Sequence, residues 1–134
     1  MAGIEKIEGI GKRNGAKLVK AGIRTPAALL KAAGAKKDRK ALAAETGLDE
    51  KAILTWVNKA DLFRVKGVGE EYSDLLEACG VDTVKELRRR SPKSLHAKLL
   101  EGSGGRGRVR RPPSLSMVER WVAAAKELEP AVTY

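Results

Sequence analysis

The chain has 134 residues and a formal net charge of +10, a balance that favours a polyanionic partner over a cationic one. Apolar residues make up 43% of the chain but aromatic residues only 4%, so we expect an aliphatic, alanine-rich core of the kind found in helical bundles. The single cysteine excludes an internal disulfide and fits a reducing compartment. No signal peptide opens the chain, and no apolar run approaches the ~20 residues of a membrane span. We therefore expect a soluble cytoplasmic protein.

One short sequence pattern occurs twice. The first copy is IEGIG at residues 7–11 (the first hairpin), and the second is VKGVG at residues 65–69 (the second hairpin). Further positions are identical at the same offset of 58 residues. The six identical pairs are Gly9/Gly67, Gly11/Gly69, Leu18/Leu76, Gly22/Gly80, Thr25/Thr83 and Leu29/Leu87. A repeat that includes its glycines indicates an internal duplication.

Each copy predicts two short helices joined by a tight reversal. Glycine permits positive φ and close approach of the backbone, and the helix that follows begins with amide groups that have no intrahelical acceptor. With a small residue four positions on (Gly15 and Ser73), the full pattern resembles the helix-hairpin-helix motif. In that family the hairpin amides contact a DNA phosphate without reading bases, and the resemblance implies the same here. The alternative is that the glycines only turn the chain between two packed helices.

The first repeat continues with three predicted helices. Thr25 is the expected N-cap of a short helix that ends before Gly34. Asp38 is the expected cap of a second helix, which Gly47 ends. Asp49 opens a longer third helix with apolar residues at helical spacing. These apolar residues are Ile53, Trp56, Val57, Ala60 and Phe63.

The second repeat follows the same plan up to an insertion. Thr83 is the expected cap of a helix over residues 84–90, and Ser91 caps the next helix. That helix carries Leu95, Leu99 and Leu100, the last at the repeat offset from Leu42. Residues 102–113 contain four glycines, four arginines and two prolines, which predicts a loop.

Seven residues must be inserted in that loop to align Trp121 with Trp56. Ser116 and Glu119 have the spacing of a capping box for the last helix. No segment alternates with a period of two, so the predicted class is all-α. We expect two tandem helix-hairpin-helix (SAM-like) repeats, residues 1–61 and 62–134, packed about a pseudo-two-fold axis.

The layout as a whole resembles a prokaryotic family described as helix-hairpin-helix-like and of unknown function. The resemblance covers essentially the whole chain. The segments that carry it are residues 65–72, 75–87, 95–99, 109–115 and 118–121. Because that family has no known activity, the resemblance implies the fold and only suggests nucleic acid as a partner.

The two hairpins differ in the charge that follows them. Lys12 and Arg13 come directly after Gly11, whereas Glu70 and Glu71 occupy the same places in the second copy. Carboxylates suit the positive end of a helix but repel a phosphate. The first hairpin is therefore the predicted phosphate contact, and the second is predicted to be structural or to bind protein.

Charge is also uneven along the chain. Residues 1–64 carry fourteen basic and seven acidic side chains, residues 65–87 two and six, and residues 88–111 nine and one. Arginine presents a planar fork of donors that suits a phosphate backbone. The arginines in question are Arg88, Arg89, Arg90, Arg106, Arg108, Arg110 and Arg111. The alternative is that these charges only solvate a surface.

A few single residues have ordinary explanations. Trp56 and Trp121 lie at equivalent helical positions, which favours packing in the core over base stacking. His96 has no second ligand type spaced near it, so a packed or surface histidine is favoured over a metal ligand or catalyst. Cys79 takes the place of Ala21, which indicates a small buried position.

We therefore expect a protein without catalytic residues, metal site, cofactor or small-molecule substrate that binds DNA independently of sequence, with RNA as the alternative nucleic acid. The predicted nucleic-acid contacts are Gly9, Ile10, Gly11, Lys12, Arg13, Arg88, Arg89, Arg90, Arg106, Arg108, Arg110 and Arg111. The alternative function is a protein-interaction or scaffold module in which the second hairpin contacts a protein partner. Its contacts would be Gly67, Gly69, Glu70, Glu71 and Tyr72.

Overall fold

The computed structural model describes residues 3–104 and 111–134. These residues form eight α-helices and one 3-10 turn, with no β-strand among them, so the predicted all-α class is confirmed. In chain order the elements are the 3-10 turn Ile4–Lys6, α1 (Gly11–Lys20), α2 (Pro26–Ala33), α3 (Lys36–Thr46), α4 (Glu50–Leu62), α5 (Glu70–Ala78), α6 (Val84–Leu87), α7 (Pro92–Gly104) and α8 (Leu115–Glu127). Within the described ranges no helix has the length and apolarity that crossing a bilayer requires.

The helices divide into two compact units. The first unit comprises Met1–Asp61 together with Pro130–Tyr134, and the second unit comprises Leu62–Glu129. The last five residues, expected in the second repeat, thus belong to the first unit.

Both hairpins are closed by the same backbone hydrogen bonds. In the first hairpin the Ile7 amide donates to the Ile4 carbonyl at 3.2 Å, and the Ile10 amide donates to the Ile7 carbonyl at 3.4 Å. The corresponding bonds of the second hairpin join Val65 to Leu62 and Val68 to Val65, at 3.1 and 3.0 Å. Gly9 and Gly67 take left-handed φ of +92° and +91°, a conformation that favours glycine.

The second helix of each hairpin ends at the predicted glycine. Gly22 and Gly80 have φ of +89° and +91°. The Ile23 amide donates to the Leu18 carbonyl, five residues back, at 2.9 Å, and the matching bond of the second unit measures 2.8 Å. This closure satisfies a carbonyl at the helix end, and it confirms the predicted helix stops.

The threonine caps are also confirmed, although the helix after the second is shorter than predicted. Thr25 Oγ1 accepts the Ala28 amide at 3.1 Å, and Thr83 Oγ1 accepts the Glu86 amide at 3.2 Å. α6 ends at Leu87 rather than at residue 90. The amides of residues 89 and 90 bond to carbonyls three residues back, which tightens the last turn and ends the α-helix.

α4 and α8 have the same length and equivalent N-caps. Each has 13 residues, and their caps, Asp49 and Ser114, accept an amide three residues on at 3.3 and 3.2 Å. The predicted capping box of Ser116 and Glu119 is wrong. Ser114 has the extended backbone of an N-cap, with φ −78° and ψ 161°, so α8 begins two residues earlier than predicted and Ser116 lies inside it.

The predicted loop begins later in the chain than expected. α7 continues to Gly104, three residues into the expected loop 102–113. Gly104 stands at the repeat offset from Thr46, the last residue of α3. The extra residues therefore follow Gly104, and most of the predicted loop, residues 105–110, lies outside the described residues.

α3 begins at Lys36, before its predicted cap. Ala35 has an extended backbone, and its carbonyl accepts the amides of Asp38 and Arg39 at 3.1 and 3.0 Å. The prediction that Asp38 caps this helix is wrong. Its carboxylate lies in the first turn, where it suits the positive end of the helix dipole.

Two positions of the second unit are more exposed than their places in the repeat predict. Leu100 is 43% exposed, whereas its repeat counterpart Leu42 is 7% exposed and the neighbouring Leu99 is fully buried. Cys79 is only half-buried, and its Sγ donates to the Lys98 carbonyl at 3.6 Å. Leu95 and Leu99, four residues apart, share the buried face of α7, and Leu100 lies off that face.

The C-terminal segment is held by a buried arginine of the first unit. Arg39 is 2% exposed, and its guanidinium donates to the carbonyls of Gly34 at 2.6 Å and Thr133 at 2.5 Å. The Thr133 amide returns a bond to the Gly34 carbonyl at 2.9 Å. A Cβ atom on Gly34 would lie 2.4 Å from the Ala131 carbonyl oxygen, so the segment packs this closely only against glycine.

Candidate nucleic-acid interface

The first hairpin presents backbone amides at its surface. Gly9 and Gly11 both have positive φ, +92° and +70°, and both are exposed. Within the described residues no backbone carbonyl accepts from the amides of Gly11, Lys12 or Arg13, which begin α1. The positive end of the helix dipole adds to these donors, so the start of α1 has the character of an anion site.

The predicted side chains of this hairpin fall into two groups. Lys12 and Arg13 are exposed in the first turn of α1, which has no acidic residue. Ile10 is 2% exposed, so its side chain belongs to the core and only its backbone is available for binding. Gly9 and Gly11 likewise contribute backbone alone.

α1 extends the basic surface beyond the predicted residues. Lys17 and Lys20 are exposed and follow Arg13 at spacings of four and seven residues, which places all three on one side of the helix. The two lysines also line an open cleft of about 380 Å³ with Glu45 and Thr46. The helical spacing from Arg13 was the signal in the sequence that would have found them.

Two side chains of α4 lie behind the first hairpin. Lys59 is 7% exposed, and its Nζ donates to the Glu8 carbonyl at 3.4 Å. Trp56, 5% exposed, places Nε1 3.8 Å from the position a Cβ atom would take on Gly9. No sequence signal points to Lys59 as part of this site, because its burial depends on a contact between residues 51 positions apart.

The second hairpin has the same reversal but opposite charge. Glu70 and Glu71 are exposed in the first turn of α5. Gly69 has an ordinary extended backbone, with φ −106°, unlike Gly11. Tyr72 is half-buried and packs on Trp121 with ring centroids 5.1 Å apart.

The hydroxyl of Tyr72 also donates to the Arg111 carbonyl at 3.0 Å. This contact fixes the backbone of Arg111, whose side chain is exposed. His96 Nε2 lies 3.1 Å from the carbonyl oxygen of Pro113, so two side chains hold the segment before α8. His96 is thus a packing residue of the second unit, as expected.

The remaining predicted arginines are not equivalent. Arg90 is engaged in the fold: its guanidinium pairs with Glu86 Oε1 at 3.0 Å and donates to the Gly80 carbonyl at 3.1 Å. Arg88 is half-buried and Arg89 is exposed. Arg106, Arg108 and Arg110 lie outside the described residues.

A model for the family described as Domain of unknown function (DUF4332) matches residues 8–128. The match includes the second hairpin, all of the first hairpin but its first residue, and every α-helix from α1 to α8, so the chain belongs to this family. The predicted membership of a family of unknown function is confirmed. No curated protein and no solved structure matches the chain.

Proposed function

We propose that this protein binds the phosphate backbone of nucleic acid, DNA in the first place, through the first hairpin and without reading bases. We also propose that the two hairpins are tandem helix-hairpin-helix motifs. The observation that carries the proposal is the start of α1. There the amides of Gly11, Lys12 and Arg13 have no backbone acceptor in the part of the chain that the structure describes, and two exposed cations stand beside them.

Among the anionic groups that a polymer can carry, these donors favour a phosphate. Backbone amides and a helix N-terminus hold phosphate oxygens without regard to sequence. Lys17 and Lys20 continue the positive surface along α1. In this proposal they bind a second phosphate of the same strand. A surface of this kind binds through counterion release.

The arginines of the second unit supply further contacts in this proposal. Arg89 and Arg111 are exposed, and the segment between α7 and α8 brings three more arginines in sequence. Arg90 stabilises the fold and is not a phosphate contact in this proposal, because its guanidinium already pairs with Glu86 and donates to the Gly80 carbonyl.

The test is a charge reversal that copies the second hairpin onto the first. In the double variant Lys12→Glu/Arg13→Glu, we expect affinity for a fluorescein-labelled duplex to fall by at least about tenfold, since charge-assisted hydrogen bonds are each worth that much or more. The loss should be equal for duplexes of unrelated sequence, because phosphate contacts carry no base information.

The matched control is Lys36→Glu/Lys37→Glu, which makes the same charge change in the first turn of α3, at two exposed residues of the same unit. The control should bind within about threefold of wild type, as expected for screened charges that touch no phosphate. Equal losses in the two double variants would reduce the effect to net charge and remove the first hairpin from the proposal.

A second candidate function is protein binding through the second hairpin. The observation that favours it is the exposed pair Glu70 and Glu71 at the start of α5, where a basic surface would find both carboxylates accessible. In that case Glu70→Lys/Glu71→Lys abolishes capture of a basic partner protein and leaves duplex binding no weaker than before.

A further inference from the structure

Each unit places the indole N–H of a buried tryptophan beside the first glycine of its hairpin. Trp56 is 5% exposed and Trp121 2% exposed. A Cβ atom on Gly9 would lie 3.8 Å from Trp56 Nε1, and one on Gly67 would lie 3.2 Å from Trp121 Nε1. The nitrogen edge of each indole therefore faces the hairpin, on the side where the glycine has no side chain.

These indole groups have no hydrogen-bond acceptor within residues 3–104 and 111–134. Neither indole nitrogen is among the buried side-chain polar atoms left without a partner in the described residues, so each N–H reaches the surface although its ring is buried. An acceptor from outside the protein can therefore approach the N–H, and a tryptophan N–H at an interface ordinarily takes one.

The space in front of Trp56 is open. Apart from Nε1, no heavy atom lies within 4 Å of the Cβ position of Gly9, and none lies within 4 Å of that of Gly11, the immediate chain neighbours aside. The amides at the start of α1 follow the same turn of the chain directly. A neutral donor from α4 and the neutral donors of the hairpin backbone thus border the same exposed turn.

We propose that the indole N–H of Trp56 donates a hydrogen bond directly to the phosphate oxygen held by the first hairpin, an inference that rests on the function proposed above. A phosphate group offers several strong acceptor oxygens, so one can accept from the indole while others accept from the amides of α1. The glycine at position 9 then has a second role, since any side chain there stands between the indole and the phosphate.

The second unit is the natural comparison. Trp121 has the same donor in the same place, but Glu70 and Glu71 follow its hairpin and repel a phosphate. Behind the first hairpin lies the buried ammonium of Lys59, whose counterpart on α8 is Ala124. The two tryptophans should therefore respond differently to nucleic acid.

The experiment follows the two indole ¹⁵N–¹H resonances of the full chain during titration with a duplex of mixed sequence. The chain has two tryptophans, so two resonances are expected, and Trp121→Phe assigns them. We expect the Trp56 resonance to move downfield as the duplex binds, and the Trp121 resonance to stay in place. Fluorescence anisotropy of the same labelled duplex measures binding independently.

A pair of variants gives a second readout. Trp56→Phe and Trp121→Phe each keep an aromatic ring and lose the same donor and the same volume. Trp56→Phe should weaken duplex binding by about tenfold, the size of one hydrogen bond to a charged group, while Trp121→Phe stays within about twofold of wild type. Melting temperatures of the two variants report any loss of folding.

The outcomes separate this inference from the proposed function. If anisotropy reports binding and the Trp56 resonance does not move, or if both indoles move alike, the indole contact is overturned while phosphate binding stands. If anisotropy reports no binding, the proposed function fails and the indole contact with it.

Discussion

Single glycines in this chain have different physical reasons for being glycine, and a stability measurement separates them. Gly34 has an ordinary helical φ of −66°, yet a Cβ atom there would lie 2.4 Å from the Ala131 carbonyl oxygen and 2.8 Å from that of Leu30. Gly69 has φ −106° and nothing within 4 Å of its Cβ position.

We expect Gly34→Ala to lower the free energy of unfolding by about 1–3 kcal/mol, the usual cost of overpacking. Gly69→Ala is the control and should raise that free energy by about 0.4–1 kcal/mol, because it restricts the unfolded chain without straining the native one. Urea unfolding measures both. A Gly34→Ala variant as stable as wild type would mean that the C-terminal segment does not pack where the structure has it.

Sequence spacing alone was enough to predict the exposure of two candidate site residues. Lys12 and Arg13 follow a glycine turn at the start of a helix, and both are exposed. The sequence could not distinguish Arg90 from Arg89, because Arg90 donates to the carbonyl of Gly80, which belongs to a separate turn. It also could not find Lys59, whose partner Glu8 is 51 residues away.

At the scale of elements, the caps of α4 and α8 set the register of two equivalent 13-residue helices. Asp49 and Ser114 stand 65 residues apart and accept equivalent amides. The sequence offered two serines for the second cap, and the capping-box spacing of Ser116 favoured the wrong one. The backbone at Ser114 decided the register, because only an extended residue outside the helix turns its side chain to the free amide.

A serine pair tests this register. Ser114→Ala should lower the free energy of unfolding by about 1 kcal/mol, the typical cost of a lost N-cap. Ser116→Ala also removes a serine hydroxyl, but from inside α8, where alanine has the higher helix propensity by about 0.5 kcal/mol. Its urea midpoint should therefore be equal to or above that of wild type. A larger loss for Ser116→Ala than for Ser114→Ala would restore the sequence-based capping box.

Most helices were predictable because glycine and threonine fix their ends locally. Gly22, Gly80, Thr25 and Thr83 all have the roles expected of them. The errors fell where no such residue fixes the end. α7 runs on through Gly102 to Gly104, although glycines ordinarily weaken a helix. A Cβ atom on Gly102 would lie 3.2 Å from Cys79 Sγ and 3.3 Å from Leu75 Cδ1, so glycine fits this position with the least displacement of its neighbours.

At the scale of the whole molecule, charge is the property that most directly concerns the proposed partner. The net charge of +10 includes an acidic stretch around the second hairpin, so the excess of basic residues before and after that stretch is larger than the total indicates. Each cation that neutralises a phosphate releases condensed counterions. Binding through such contacts must therefore weaken with salt in proportion to the number of phosphates held.

The salt dependence of duplex binding is the most direct test of the central claim that the first hairpin holds phosphates. We expect the logarithm of the association constant to fall linearly with the logarithm of salt concentration, with a slope of about −2 or steeper, since Lys12 and Arg13 each contribute about −0.9. In Lys12→Glu/Arg13→Glu the slope should become shallower by about 2. A wild-type slope near zero, or an unchanged slope in the double variant, would contradict phosphate binding at this hairpin.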